Sequence, residues 1–151
     1  MAVVDRNWKK GDRVELHLPM EVTADTWYEN SVAIERGPLV FALKMEEKWE
    51  KKKFEEPWYG PYYYAVTPTE PWNYGLVDFN RSKANEHARV TIHPEKQSSI
   101  FPWNKENAPI EIRMKARLIP SWKLYNEMAG PQPYSFCSGG EGPETEITLI
   151  P

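Results

Sequence analysis

Glu35 and Arg36 stand side by side, immediately before Gly37-Pro38 and the apolar run Leu39-Val40-Phe41-Ala42-Leu43. A carboxylate beside a guanidinium invites an acid–base reading, and glycoside hydrolysis needs two carboxylates facing each other across a sugar. The chain holds 22 acidic residues, so many pairs can be drawn and spacing singles out none. Neighbours on a strand point to opposite faces. An extended segment therefore turns Glu35 and Arg36 away from each other. Glu35 reads better as a polar residue on a strand face, with Arg36-Gly37-Pro38 as the turn that follows.

The other reactive side chains are equally spare. His17, His87 and His93 are the only histidines, and none has H-x-H or H-x-x-x-H spacing. Glu15 and His17 share one face of an alternating segment, which is the nearest approach to a pair of metal ligands; two polar residues on a strand face is the simpler reading. Cys137 is the single cysteine, which excludes an internal disulfide and a multi-cysteine zinc site. No histidine lies near it in sequence to lower its pKa. The Ser138-Gly139-Gly140-Glu141-Gly142 run lacks the lysine and the following helix of a phosphate loop. The sequence thus assigns no catalytic residue, no metal and no cofactor.

The aromatic side chains carry more. Residues 49–74 hold Trp49, Phe54, Trp58, Tyr59, Tyr62, Tyr63, Tyr64, Trp72 and Tyr74. Flat rings stack on the apolar C–H faces of sugars, and Trp and Tyr add an N–H or O–H. Trp58, Tyr62 and Trp72 are accordingly the candidate glycan contacts. The same residue types are enriched at protein interfaces, so these three are equally candidates for contact with another domain.

Period two dominates the elements that must position these residues. Val14, Leu16 and Leu18 alternate with Glu15 and His17. Ile110, Ile112, Met114, Ala116 and Leu118 alternate with Glu111, Arg113, Lys115 and Arg117. Val90 and Ile92, and later Ile147 and Leu149, do the same. This is the pattern of half-buried antiparallel strands. Leu39–Leu43 is apolar on both faces, as expected of a strand in the middle of a sandwich. Turn residues punctuate these runs, and 79–90 has room for one helical turn. The expected fold is an all-β antiparallel β-sandwich, jelly-roll-like, in one domain spanning 1–151. The charged stretch 46–58 is either an exposed loop or hairpin or a point of subdivision.

At 151 residues with a formal charge of −3, nothing calls for nucleic acid or an anionic membrane as partner. No run approaches the length of a membrane span. The chain starts and stops in strand-like sequence, so it is expected to be a segment of a longer protein with Met1 added.

Two motifs resemble a known family. Arg6-Asn7-Trp8-Lys9-Lys10-Gly11-Asp12 leading to Leu18-Pro19-Met20, followed by Arg36-Gly37-Pro38-Leu39-Val40, is similar to the region after the catalytic barrel in glycoside hydrolase family 127, the β-L-arabinofuranosidase-like proteins. Residues 108–122, 129–133 and 144–151 also resemble the closing region of such proteins, and the likeness is weakest over 46–100. In that family the chemistry is carried by an (α/α)6 barrel with a zinc-held cysteine nucleophile and glutamate ligands. None of these residues is carried over here, because Cys137 lies in another context and no helical-barrel pattern is present.

The resemblance implies a non-catalytic accessory domain, whose partner is the catalytic barrel of the same parent chain. That parent would act on arabinose-containing plant glycans, in the periplasm or outside the cell. Two alternatives come from other classes: an autonomous carbohydrate-binding module using residues 49–74, and a self-contained hydrolase with an unrecognised carboxylate pair.

Overall fold

Antiparallel pairing accounts for nearly all the regular structure of this chain, for which a computed structural model describes residues 3–97, 100–126, 130–133 and 142–151. The strands are β1 (Val22–Thr26), β2 (Val32–Arg36), β3 (Leu39–Leu43), β4 (Glu47–Lys52), β5 (Tyr63–Pro68), β6 (Tyr74–Leu76), β7 (Ala88–Ile92), β8 (Ile110–Leu118) and β9 (Glu144–Ile150). A single helical turn, α1 (Ala84–His87), precedes β7. The main sheet has seven strands in the order β1-β2-β3-β9-β8-β6, with β7 also on β8. β7 pairs with the first half of β8 and β6 with its end. The protein is all-β and antiparallel, its sheet curled into a sandwich-like half-barrel.

Alternation places the core. Ala24, Ile34 and Phe41 lie in one row across β1, β2 and β3. A second row runs Leu43, Leu149, Ile112 and Val90. The third links Ile147, Met114 and Ala88. Together they line one face of the curled sheet, where Ile112 is fully buried. Burying one such side chain is worth about 1.5–3 kcal/mol.

The curl brings α1 against β1. Asn85 accepts a hydrogen bond from the Val22 amide at 3.0 Å, and Ala84 enters the core. α1 therefore satisfies an amide at the edge of β1 that would otherwise invite another strand.

The turn between β2 and β3 is as short as the sequence requires. Arg36 pairs with Leu39, so only Gly37 and Pro38 make the turn. Gly37 has φ +58. Proline cannot take positive φ, which leaves type II′ of the two turns that match strand twist. Glu35 faces away from buried Ile34, as alternation demands. The apolar run β3 is less buried than its composition suggests: it lies inside the sheet, yet Val40 is 59% exposed because only one face of the half-barrel is filled.

Two other expectations are corrected. Val14–Leu18 forms no strand; residues 3–21 are irregular and exposed throughout, and Leu16 is 73% exposed. Period two there has no sheet neighbour to pair with. The Arg6 guanidinium sits 5.1 Å from the Trp8 ring. In β7 the alternation slips, leaving Ile92 exposed and His93 half-buried.

β4 and β5 form a separate two-stranded sheet, so the charged stretch begins an exposed hairpin. Such a ribbon is marginal alone. At its base the Thr69 amide donates to the Glu46 carbonyl at 2.9 Å, and Lys105 pairs with the Glu46 carboxylate.

Candidate functional site: a cleft beside β6

Trp72, Asn73 and Tyr74 enter β6 through a pinched turn in which the Tyr74 amide donates to the Trp72 carbonyl at 3.0 Å. Bonds from residue i+2 back to i define this tight γ-type turn. Asn73 then fastens a second turn. Its Nδ2 donates to the carbonyls of Ile119 at 2.7 Å and Trp122 at 3.1 Å. In return the Ile119 amide donates to the Asn73 carbonyl at 2.8 Å, and the Trp122 amide to the Ile119 carbonyl at 3.1 Å. Gly75 permits this close approach, since a Cβ there would lie 2.6 Å from Ile119 Cδ1. The chain leaving β8 is thereby pressed against the chain entering β6.

These two turns form one side of an open cleft of about 790 Å³, with the connection from β1 to β2 on the other side. That connection closes on itself. The Trp27 amide donates to the Ser31 carbonyl at 2.8 Å, and both the amide and the hydroxyl of Ser31 reach the Tyr28 carbonyl. The closure forces Glu29 (φ 55) and Asn30 (φ 56) into left-handed backbone. Across the cleft, Asp78 (φ 47) does the same after β6. Of the four non-glycine residues with positive φ among the described residues, three line this cleft; the fourth is Asn126. Left-handed backbone costs an L-residue roughly 1–2 kcal/mol, with Asn and Asp the exceptions. Glu29 has no such allowance.

The cleft is lined by charge of both signs: Glu29 and Asp78, Arg81 and Arg117. Arg117 also donates to Glu144 at 3.1 Å. Trp72, Tyr74 and Trp122 supply ring surface. Trp122 Nε1 is buried and has no hydrogen-bond partner among the described residues. Eight of the eighteen residues that line the cleft are polar or charged, so it is an open cleft of mixed chemistry with ring surface on it and not a mainly apolar pocket.

Of the three residues expected from sequence, only Trp72 lies here. Trp58 and Tyr62 belong to the β4–β5 hairpin and its loop. Trp58 is 72% exposed, with Tyr59 as its ring neighbour at 6.1 Å. Tyr62 meets Tyr64 edge-on at 5.7 Å and carries Lys51 3.6 Å above its ring. Phe54 packs on Tyr63 at 4.8 Å. The hairpin rings pack against one another, edge-on or tilted. Trp122 is one of the cleft residues that sequence reasoning missed. Its signal was its place just after the strongest alternating strand, where a β8 side chain row must end.

The remaining candidates are placed apart from the cleft. His17 Nε2 and Glu15 lie 3.3 Å apart, both highly exposed. No cluster of three or more His, Cys, Asp or Glu that could hold a metal occurs among the described residues. Cys137 lies outside them. Glu111 is the one buried charged residue among those described, at 7% exposure. Lys44, just past β3, reaches over β9 to donate to Glu111 Oε1 at 2.8 Å, and His93 Nε2 lies 3.7 Å from Oε2. The Lys44 hydrogen bond holds the Glu111 carboxyl below the usual carboxylate range, against the opposing effect of burial. This cluster ties β3 to β8 across β9, and no residue of it lines the cleft.

Among the described residues no helix is long and apolar enough to cross a membrane. Comparisons with models of known protein families, with curated proteins and with solved structures give no match. The functional reading therefore rests on the geometry and on the motifs.

Proposed function

We propose that this chain is a non-catalytic accessory β-sandwich of a glycan-active protein resembling glycoside hydrolase family 127, packed against a helical catalytic barrel of the same parent. One observation carries the reading. Val14, Leu16 and Leu18 are three exposed apolar side chains close together in a segment that pairs with no strand among the described residues. Contiguous exposed apolar surface marks an interaction site, and a neighbouring domain is the natural cover. The two motifs behind the resemblance also meet in space: Met20 Sδ lies where a Cβ on Gly37 would be 2.6 Å away. Met20 of the first motif thus lies against the turn of the second.

The decisive experiment assays the purified chain against an aryl arabinofuranoside, and deletes the same segment from its parent. The chain alone should show no turnover, and the truncated parent should lose soluble, active barrel. Hydrolysis by the chain itself would overturn the accessory role. A second reading, an autonomous carbohydrate-binding module, is favoured by the exposure of Trp58 and Tyr62. It requires glycan affinity that falls on Trp58→Ala.

A further inference from the structure

We propose that the cleft between the 27–31 connection and the Trp72–Tyr74 turn binds a neutral oligosaccharide. The choice of ligand class rests on the glycan reading above, while the cleft stands on its own geometry.

Three features converge. The first is charge of both signs: two carboxylates, Glu29 and Asp78, and two guanidinium groups, Arg81 and Arg117, the last already paired with Glu144. A site for a phosphate or a polyanion would gather like charge, and this one does not. A neutral ligand with many hydroxyls can use both signs, donating to carboxylates and accepting from guanidinium groups. The second is ring surface. Trp72 and Trp122 come from two turns that Asn73 clamps together, so their spacing is fixed before a ligand arrives. Such preorganisation lowers the cost of binding.

The third is strain. A tight hairpin turn calls for positive φ at Glu29 and Asn30, the two residues between Tyr28 and Ser31, and Asn and Asp tolerate it, so of Glu29, Asn30 and Asp78, which all border this cleft, only Glu29 is an unusual choice. Glu29 is the informative member, because glycine would take φ 55 without steric cost. Keeping a glutamate there places a carboxylate on the cleft wall at the expense of local stability.

Titration of the full 151-residue chain, followed by indole N–H resonances in NMR, tests the site. The probes are neutral arabino-, xylo- and gluco-pentasaccharides, with a uronic-acid pentasaccharide as the anionic comparison. Trp122→Phe and Trp72→Phe assign the resonances. At least one neutral probe should shift the Trp122 indole signal, and Trp72→Ala should weaken binding at least tenfold. Trp58→Ala should change it less than twofold. Glu29→Gly should weaken binding while leaving the melting temperature equal or higher, which a merely structural residue would not do.

If binding instead depends on Trp58, the cleft assignment is wrong and the autonomous module is right. Preference for the uronic-acid probe would overturn the ligand class. If no probe binds a chain that NMR shows to be folded, the cleft proposal fails, while the accessory role, which needs only packing on a barrel, is unaffected.

Discussion

Asn73 donates from one Nδ2 to the carbonyls of both Ile119 and Trp122, so a single amide side chain joins the start of β6 to the chain leaving β8. Its sequence neighbours Trp72 and Tyr74 and its bonded partner Trp122 all border the cleft. Position here is set by a side-chain amide that bonds two main-chain carbonyls.

Asn73→Ala should therefore damage the cleft more than the core. It removes two hydrogen bonds to part-buried carbonyls, and at about 1 kcal/mol each the loss is roughly 2 kcal/mol. Denaturant unfolding of the variant measures that loss. Hydrogen exchange should quicken at the Ile119 and Trp122 amides, while the β8–β9 amides change only in line with the global loss. Uniform acceleration across the sheet would mean that Asn73 supports the whole fold and not this junction.

Gly37 makes a separable claim. Its φ of +58 disfavours any side chain, and a Cβ would also press on Met20 Sδ. Gly37→Ala should cost about 1–2 kcal/mol from the left-handed backbone alone, with the methionine contact adding to it. The double variant with Met20→Ala should recover the steric part and keep the backbone part. A double-mutant cycle in urea separates the two. Strict additivity would show that Met20 moves aside freely and that the two motifs are not coupled.

Alternation made much of the sheet legible in advance. Ile112, Met114 and Ala116 on β8, and Ile147 and Leu149 on β9, are buried as their period requires. The same reasoning failed for Val14–Leu18, because period two reports a strand's preference and not the presence of a neighbour to pair with. Glu111 sits on the polar face of β8 and is nevertheless buried. Its partners Lys44 and His93 come from distant sequence, so no local pattern announces the cluster. The cleft was half visible: Trp72 stood out within an aromatic run, whereas Glu29, Asp78 and Trp122 meet it only through the curl of the sheet. The density of rings pointed to the hairpin, and the structure uses most of those rings to pack on each other.

Acid should weaken the protein through Glu111. Its carboxyl pKa is lowered in the folded state, first by the Lys44 hydrogen bond. The native state then binds the proton less readily than the unfolded chain, where the pKa is about 4.3. Stability from this pair is complete above that value and is lost as pH falls through the lower folded pKa. Glu111→Gln should flatten the acid limb of the stability–pH profile. Lys44→Met should be worse at neutral pH, because it leaves a mostly buried carboxylate without its ammonium partner; the cost is on the order of 1–3 kcal/mol. Urea midpoints from pH 3 to 7 read both effects. An unchanged acid slope in Glu111→Gln would assign acid sensitivity to other carboxylates.

The exposed apolar group of Val14, Leu16 and Leu18 sets apart two kinds of importance. Leu16 is 73% and Leu18 66% exposed, and substitutions at such positions shift stability by only about 0.5 kcal/mol in either direction. Leu16→Glu with Leu18→Glu should thus leave the melting temperature of the isolated chain nearly unchanged. The group is still apolar surface open to water, so the wild-type chain should self-associate at high concentration and the double variant should not. On the accessory reading proposed above, the same pair of changes in a longer parent should disrupt docking on its neighbouring domain and release that domain to proteolysis. Light scattering across a concentration series distinguishes these cases. A wild-type chain that stays monomeric at the highest concentrations would remove the group as an interaction surface, and with it the principal support for an accessory role.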